Sequence, residues 1–213
     1  DVEIGVGFEK RVPLPKIQPD MIAYYMFTSG STGEPKVVMI SHQSLACRLS
    51  WMETRYQCAD RVLQKAYYTF DVSMWEYFLS LMEGGTLFLT RDEERGNPKR
   101  LLELLKKYQI RTVHFVPSLL SVFLKYVENK NVDLPSLEHV FSSGEVLAGE
   151  LVEQFYRIFP NAKLHNLYGP TECTIDVTYY DCIGTEKEVP IGKPVFWTKA
   201  EVLNKYGECV PPG

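Results

Sequence analysis

The segment at residues 28–36 reads TSGSTGEPK and carries the residue types that bind a phosphate. Its glycines, Gly30 and Gly33, permit backbone torsions that let successive N–H groups converge on an anion. Lys36 adds a positive charge, and the hydroxyl donors are Thr28, Ser29, Ser31 and Thr32. The spacing differs from the G-x-x-x-x-G-K-[ST] pattern of P-loops. The segment therefore predicts phosphate binding by another arrangement, with a solvated Ser/Gly loop as the alternative.

A second segment, NLYGPTE at residues 166–172, combines groups that suit the rest of a nucleotide. Tyr168 can stack on a base, and Thr171 can hydrogen-bond a phosphate oxygen. Glu172 can bind Mg²⁺, which prefers oxygen ligands beside phosphates. The alternative is a tight Gly-Pro turn with polar groups on the surface.

A third segment, FDVS at residues 70–73, places Asp71 at the start of a predicted helix. Aspartate is a preferred helix N-cap, so a purely structural cap is one interpretation. If the side chain instead faces a pocket, its carboxylate is a suitable partner for a substrate ammonium.

Short apolar runs alternate with helix-period segments along the chain. The strand candidates read IAYYMF, RVLQKAYY, TLFLT, RTVHFV, LEHVFS and AKLHNL. This alternation predicts an α/β fold with a mainly parallel, doubly covered sheet. Ligands bind past the carboxyl ends of such strands, which singles out the junctions at residues 28–36, 70–73, 142–145 and 166–172. We expect an extended lead-in over 1–20, the α/β core over 21–176, and the start of a small β-rich subdomain over 177–213.

The composition excludes several classes of protein. The formal net charge is -4 and basic residues are scattered, so we expect no nucleic-acid partner. No apolar run is long enough to cross a bilayer. The five cysteines form no C-x-x-C pair, which indicates free thiols in a reducing cytoplasm. The chain lacks an initial methionine and ends in a turn, so we expect it to be part of a longer protein.

Together and in this order, TSGSTGEPK, FDVS and NLYGPTE resemble the core motifs of the adenylate-forming, AMP-binding superfamily. The closest resemblance is to the amino-acid adenylation domains of non-ribosomal peptide synthetases, and VPIGKP near Pro190 fits the stretch that follows. The resemblance implies an ATP- and Mg²⁺-dependent ligase. An amino acid's carboxylate attacks the α-phosphate to give aminoacyl-AMP and pyrophosphate, and the aminoacyl group then passes to the phosphopantetheine thiol of a carrier domain.

The resemblance also implies roles for the matching residues. Residues 28–36 would cover the β- and γ-phosphates, while Gly144, Glu145 and Tyr168 would bracket the adenine. Asn166, Gly169 and Thr171 would lie near the nucleotide, and Glu172 would hold Mg²⁺. Lys36, Thr171 and Glu172 would form the catalytic set. Neighbouring synthetase domains, a cytoplasmic location and a siderophore or other peptide product are further implications.

The same resemblance implies an amino-acid pocket whose members are scattered along the chain. They are Asp71, Val72, Trp75, His114, Phe141, Ser143, Leu167, Ile175 and Asp176. Asp71 would pair with the α-ammonium. The large apolar members leave little volume, and the polar members need partners when buried, so a small side chain with a hydroxyl suits both. The set resembles that of serine-activating domains and implies L-serine. Taken singly, His114 and Trp75 could instead be ordinary core residues.

The sequence departs from the family pattern in three ways. Val37 replaces the glycine that usually follows the motif lysine. The later motif, whose aspartate binds the ribose, is missing, and so is the small C-terminal lid domain with its lysine. We therefore expect this chain alone to adenylate poorly. A stand-alone ligase for another amino or aryl acid, or a catalytically impaired nucleotide-binding module, are the alternatives.

Overall fold

The computed structural model describes residues 14–29 and 34–210. Four expected phosphate-loop residues, Gly30, Ser31, Thr32 and Gly33, lie outside the described residues. So do residues 1–13 of the expected lead-in. Within the described ranges, no helix combines the length and apolar character needed to cross a bilayer.

The first two strands form a separate antiparallel hairpin. β1 (Ile22–Thr28) pairs with β2 (Lys36–Ser41), and Thr28 lies opposite Lys36 at the open end of the intervening loop. The sequence analysis expected residues 28–36 to follow a strand of the parallel sheet, and this was wrong. A parallel return requires a crossover of a dozen or more residues, which residues 29–35 are too few to supply.

The main sheet has seven strands in the order β4-β3-β5-β6-β7-β8-β9. Five of them are parallel: β3 (Arg61–Gln64), β4 (Thr86–Leu89), β5 (Thr112–Phe115), β6 (His139–Ser142) and β7 (Lys163–Tyr168). β8 (Thr178–Asp181) and β9 (Lys193–Pro194) are antiparallel. The expected C-terminal β-structure thus continues the main sheet. A subdomain boundary at residue 177 stays a prediction.

Helices begin where the sequence signals indicate. α1 (His42–Tyr56) starts after Ser41, whose hydroxyl accepts a hydrogen bond from the Ser44 amide, and α2 (Val72–Met82) follows Asp71. A short α3 (Asp92–Arg95) precedes α4 (Pro98–Lys107), which like α5 (Pro117–Val127) has proline in its first turn. The remaining helices of the described residues are α6 (Gly149–Ile158) and a 3₁₀ turn (Thr171–Cys173).

Both faces of the sheet are covered, as the sequence predicted. On one face, α4, α5 and α6 bury a cluster that includes Leu101, Phe123 and Phe155. On the other, α1 and α2 bury a second cluster that includes Trp51 and Trp75. β5 and β6 are buried along their whole length because they lie between these layers. The residues at their carboxyl ends are therefore held from both sides.

β3 is shorter than expected. Its pattern predicted a strand over 61–68, but the strand ends at Gln64. The Glu76 carboxylate on α2 accepts hydrogen bonds from the amides of Lys65 and Ala66 at 3.0 and 2.8 Å. Arg95 donates to the carbonyls of the same two residues at 3.1 and 2.8 Å. Side chains thus replace the strand ladder and direct the following loop toward Asp71.

Candidate active site

The apolar residues expected in the pocket belong to one cluster. Trp75, Phe141, Leu167 and Ile175 are almost fully buried in the same hydrophobic core, and Val72 packs against it. The Trp75 ring meets His114 edge-on at 6.2 Å and Phe141 at 5.5 Å, measured between ring centroids. Residues from α2, β5, β6, β7 and the loop before β8 therefore lie together, and their role as an amino-acid pocket stays a prediction.

His114 and Ser143 form a polar pair inside this apolar wall. The His114 Nε2 and Ser143 Oγ atoms are 2.9 Å apart, and both side chains are buried. Burial, reinforced by the charge of Lys65, holds the pKa of His114 well below its ordinary value, so the imidazole is neutral at pH 7. The histidine has a protein partner, and that partner is another residue of the expected pocket.

Asp71 occupies the N-cap position of α2 without acting as a cap. Its backbone is already helical, and its side chain makes no capping hydrogen bond. The Oδ2 atom is buried and has no partner among the described residues. Burial, followed by the nearby charge of Asp176, raises the pKa of Asp71 to about 6, and the Thr171 hydroxyl offsets part of this. A buried carboxylate oxygen without a partner is costly unless a donor or a cation joins it.

Asp176 contrasts with Asp71, because it has a partner in the protein. Arg48 Nη2 on α1 lies 2.7 Å from Asp176 Oδ2, and both side chains are 2% exposed. Burial raises the pKa of Asp176, and the Arg48 charge opposes that rise. Sequence reasoning missed Arg48. The available signal was its position on the buried stripe of α1 between Leu45 and Leu49, where an unpaired arginine is not expected.

The loop between β7 and β8 is closely packed, and this packing fixes the backbone positions of Ile175 and Asp176. A Cβ on Gly169 would come within 2.5 Å of the Asp176 Cα. Thr174 and Ile175 have φ values of 68° and 71°, which are unfavourable for β-branched side chains. Such strain persists only where surrounding contacts impose it, and it is frequent at ligand sites.

The expected adenine residues line a shared cavity of about 320 Å³. Its walls include Gly144, Glu145, Asn166, Tyr168 and Gly169, which the sequence singled out, together with Val146, Leu147, Leu167, Val189 and Ile191. This volume lies at the low end of small-ligand sites, which are roughly 300–1,000 Å³. The VPIGKP segment was noticed in the sequence, but its role as the opposing wall was not.

Two hydrogen-bond sets fix the rim of that cavity. Asn166 Nδ2 donates to the Pro190 carbonyl at 3.0 Å, which holds the segment around Val189 and Ile191 against β7. The Glu145 carboxylate accepts from the amide and hydroxyl of Ser118 at 2.8 and 2.9 Å. Tyr168 is 49% exposed, which leaves its ring accessible for stacking.

The residues expected at the phosphates lie at the hairpin and the 3₁₀ turn beside it. Lys36 is exposed at the first residue of β2, and the 3₁₀ turn with Thr171 and Glu172 contacts that strand. Val37 lies within β2 opposite Phe27, as its β-branched side chain predicted.

Glu172 is exposed and forms no ion pair with any described residue. The described residues contain no cluster of three metal-ligating side chains, but Mg²⁺ commonly needs only one or two carboxylates beside phosphates. The oxygen donors of Thr171 and Glu172 therefore fit such an ion.

Comparison with known proteins shows which family this chain resembles. A family model described as "AMP-binding enzyme" matches residues 3–213. Vanchrobactin synthetase VabF of Vibrio anguillarum is 44% identical over 209 residues, which cover 92% of this chain and 7% of that protein. The adenylation domain AlmE of Vibrio cholerae, solved with glycyl-adenosine-5'-phosphate, is 32% identical with a TM-score of 0.82, covering 92% of this chain and 38% of that one.

A second solved structure is the peptide synthetase FmoA3 in its alpha-methyl-L-serine-AMP bound form. It is 26% identical with a TM-score of 0.76, and the match covers 83% of this chain and 20% of that one. The present chain therefore spans less than half the length of each of these three proteins. Because the family model covers nearly every residue, this chain belongs to the AMP-binding enzyme family.

Proposed function

We propose that this chain is the core of an amino-acid adenylation domain of a peptide synthetase, and that its substrate is L-serine. The observation that carries the proposal is the buried Oδ2 atom of Asp71, which has no hydrogen-bond partner among the described residues and lies at the start of α2, next to the apolar cluster that Val72 packs against. A substrate ammonium would supply the missing charge. An aryl or fatty acid has no such group and would leave the carboxylate unpaired, which disfavours the alternative of an aryl-acid ligase.

The reaction consumes ATP and transfers AMP to the amino acid. One substrate carboxylate oxygen forms a bond to the α-phosphorus, the bond from that phosphorus to the bridging oxygen breaks, and pyrophosphate leaves. The 320 Å³ cavity would hold the adenine, with Tyr168 on the ring face. Asp71 would orient the amino acid so that its carboxylate meets the phosphate. Lys36 and the Thr171 hydroxyl would stabilise the charge on the phosphates.

Mg²⁺, when bound, would neutralise phosphate charge and favour departure of pyrophosphate. Glu172 would be its carboxylate ligand from this chain, and Thr171 lies in the same turn. Because Glu172 is exposed next to the hairpin, it can reach an ion shared with the phosphates without unfolding the tight loop that follows. This role of Glu172 is part of the proposal.

The serine assignment depends on the polar pair in the apolar wall. When Ser143 shares one hydrogen bond with His114, its hydroxyl keeps further hydrogen-bonding capacity. A substrate hydroxyl could use it, whereas alanine would leave it unpaired, and such sites discriminate strongly against the analogue without the group. The α-methyl-L-serine-AMP seen bound to FmoA3 supports a serine-like substrate.

In the second half-reaction, the phosphopantetheine thiolate of a carrier domain would attack the acyl carbon, and AMP would leave. We place this activity in the cytoplasm, within a longer synthetase that makes a siderophore or another peptide. The cysteines are all unpaired among the described residues, which fits a reducing compartment.

The experiment that tests the proposal is ATP–pyrophosphate exchange by the full-length protein with a panel of amino, aryl and fatty acids. L-Serine should give the highest kcat/KM, and L-alanine should be at least tenfold poorer. Exchange with another acid but not serine would refute the serine assignment. Binding of ATP without exchange on any acid would favour the impaired module. The isolated 213-residue chain should exchange poorly.

A further inference from the structure

The geometry points to Arg48 as a specificity-determining residue that lies outside the expected pocket set. We infer that its pairing with Asp176 neutralises one of two neighbouring carboxylates, so that the site accepts one ammonium group and rejects a second. This inference rests on the proposed function, because it concerns which amino acids the same site selects.

The ion pair is built into the protein interior. Arg48 projects from α1, its Nη2 atom lies 2.7 Å from Asp176 Oδ2, and neither side chain is more than 2% exposed. The guanidinium also lies over the Trp51 ring, with 4.7 Å between Cζ and the ring centroid. Its Nε and Nη1 atoms have no partner among the described residues. A guanidinium buried at this cost indicates that the charge on Asp176 must be balanced.

Asp176 cannot turn away from the site to avoid this requirement. The Gly169 backbone packs directly against the Asp176 backbone, and the two residues before Asp176 have positive φ. The Asp176 amide donates to the Thr174 carbonyl at 3.0 Å, and the Val177 amide donates to the Tyr168 carbonyl at 2.8 Å. The Asp176 backbone is thus held in place, and Arg48 supplies the counter-charge of its carboxylate.

The two carboxylates share one electrostatic neighbourhood. The charge of Asp176 raises the pKa of Asp71. The buried Tyr24 hydroxyl has its pKa raised by burial and by both carboxylates, while Arg48 opposes the rise. The geometry agrees, because Tyr24 on β1, Val72 next to Asp71 and Ile175 next to Asp176 pack in the same apolar cluster. With Arg48, the three charged groups Asp71, Asp176 and Arg48 sum to one negative charge, and without Arg48 the Asp176 carboxyl group would lack its counter-charge and could pair with a second cation.

A site with one net negative charge suits the α-ammonium of an amino acid with a neutral side chain. A site in which Asp176 lacks Arg48 would also favour an ammonium on the side chain, because that ammonium could replace the guanidinium as the partner of Asp176. L-2,4-Diaminobutyrate and L-homoserine have the same chain length and differ in a terminal ammonium versus a hydroxyl. The ratio of their kcat/KM values therefore reports the charge of the pocket at nearly constant substrate size.

The test compares the full-length protein with Arg48→Met and the double variant Arg48→Met/Asp176→Asn in the exchange assay at pH 7.5. Arg48→Met should raise the ratio of diaminobutyrate to homoserine at least tenfold, and the double variant should return it to within threefold of wild type. Arg48→Lys should keep the wild-type ratio. Arg55→Met serves as the matched control, because Arg55 lies on the same helix but pairs with Asp181.

An Arg48 with a purely structural role would lower the rates with both substrates and leave their ratio unchanged, which would overturn the inference. If Arg48→Met does not fold, the kinetics of Asp176→Asn test the inference instead. This variant leaves the Arg48 guanidinium without its counter-charge. It should raise the KM for serine at least tenfold and the KM for ATP less than twofold. Unchanged serine kinetics in that variant would overturn the inference. Wild-type protein that fails to activate serine would instead refute the proposed function.

Discussion

The carboxylate of Glu76 accepts a hydrogen bond from the Ala66 amide at 2.8 Å, and this contact ends β3 before the loop that leads to Asp71. Glu76 is fully buried, and burial raises its pKa to about 7 although the Lys65 ammonium opposes the shift. Arg95 holds the carbonyls of the same peptide units. Residues outside the expected pocket set thus support the loop that leads to the candidate ammonium ligand.

Replacing Glu76 with alanine should weaken this support. The buried amides of Lys65 and Ala66 would lose their acceptor, at about 1–3 kcal/mol each. We expect Tm to fall by about 4 °C or more, and the KM for serine to rise more than the KM for ATP. Glu83→Ala, at an exposed residue just after α2, is the control. Equal stability and kinetics in the two variants would show that Glu76 does not position the loop.

Asp71→Ala should abolish amino-acid selection while leaving ATP binding largely intact. Removing one partner of a buried charge pair costs on the order of 3–5 kcal/mol, which is a loss of at least about a hundredfold in kcat/KM for serine. Exchange kinetics and ATP titration measure the two effects separately. Asp133→Ala, at an exposed residue between α5 and β6, is the control. Near-normal serine activation by Asp71→Ala would mean that the residue is only structural.

The pKa of Asp71, raised to about 6, predicts a pH dependence of substrate capture. Because the carboxylate must be ionised to pair with an ammonium, kcat/KM for serine should fall about tenfold per pH unit below 6. Binding of a nucleotide analogue should change less over the same range. A profile that stays flat down to pH 5 would be inconsistent with this role of Asp71.

The raised pKa of Asp71 also predicts that its ionised carboxylate lowers the stability of the substrate-free protein at high pH. A carboxyl group whose pKa is raised by folding contributes stability at low pH, and this contribution is lost as pH rises from its model value of 3.8 through about 6. Asp71→Asn should therefore raise the Tm of the substrate-free protein at pH 8 and have little effect at pH 4. Thermal scans at both pH values check this. A lower Tm at pH 8 would contradict the account.

Gly169→Ala should disrupt the loop that carries Asp176. The added methyl group would meet the Asp176 Cα and the Ile175 carbonyl oxygen at 2.5 and 2.6 Å, and backbone atoms cannot rotate away. We expect a loss of at least about 2 kcal/mol in stability and a strong loss of serine exchange. Gly96→Ala is the control, because its added methyl meets nothing within 4 Å. Similar Tm values for both variants would contradict the packing argument.

Sequence periodicity predicted most of the sheet, most directly β5 and β6, which are buried along their whole length. The TVHF and HVFS segments are continuous apolar or buried runs, and the prolines at 98 and 117 mark helix starts directly. The extent of β3 could not be predicted, since it depends on Glu76 and Arg95, which are distant in sequence. Likewise, the Arg48–Asp176 pair spans 128 positions, and no local pattern records it.

The antiparallel hairpin shows a different limit of sequence reasoning. The IAYYMF run has the composition of a strand, but composition does not reveal which sheet a strand joins. Only the length of residues 29–35 distinguishes a hairpin from a crossover connection. The polar members of the expected pocket were identified from a family resemblance. Their partners, Ser143 for His114 and Arg48 for Asp176, became visible only in three dimensions.

The most direct test of the central claim measures whether Asp71 binds the amino group of the substrate. Calorimetric titration would compare a non-hydrolysable seryl-adenylate analogue with the same analogue lacking its amino group, on full-length wild-type protein and Asp71→Asn. The account predicts that loss of the amino group weakens binding at least a hundredfold in wild type and less than threefold in Asp71→Asn. Equal affinity of the two analogues for wild-type protein would contradict it.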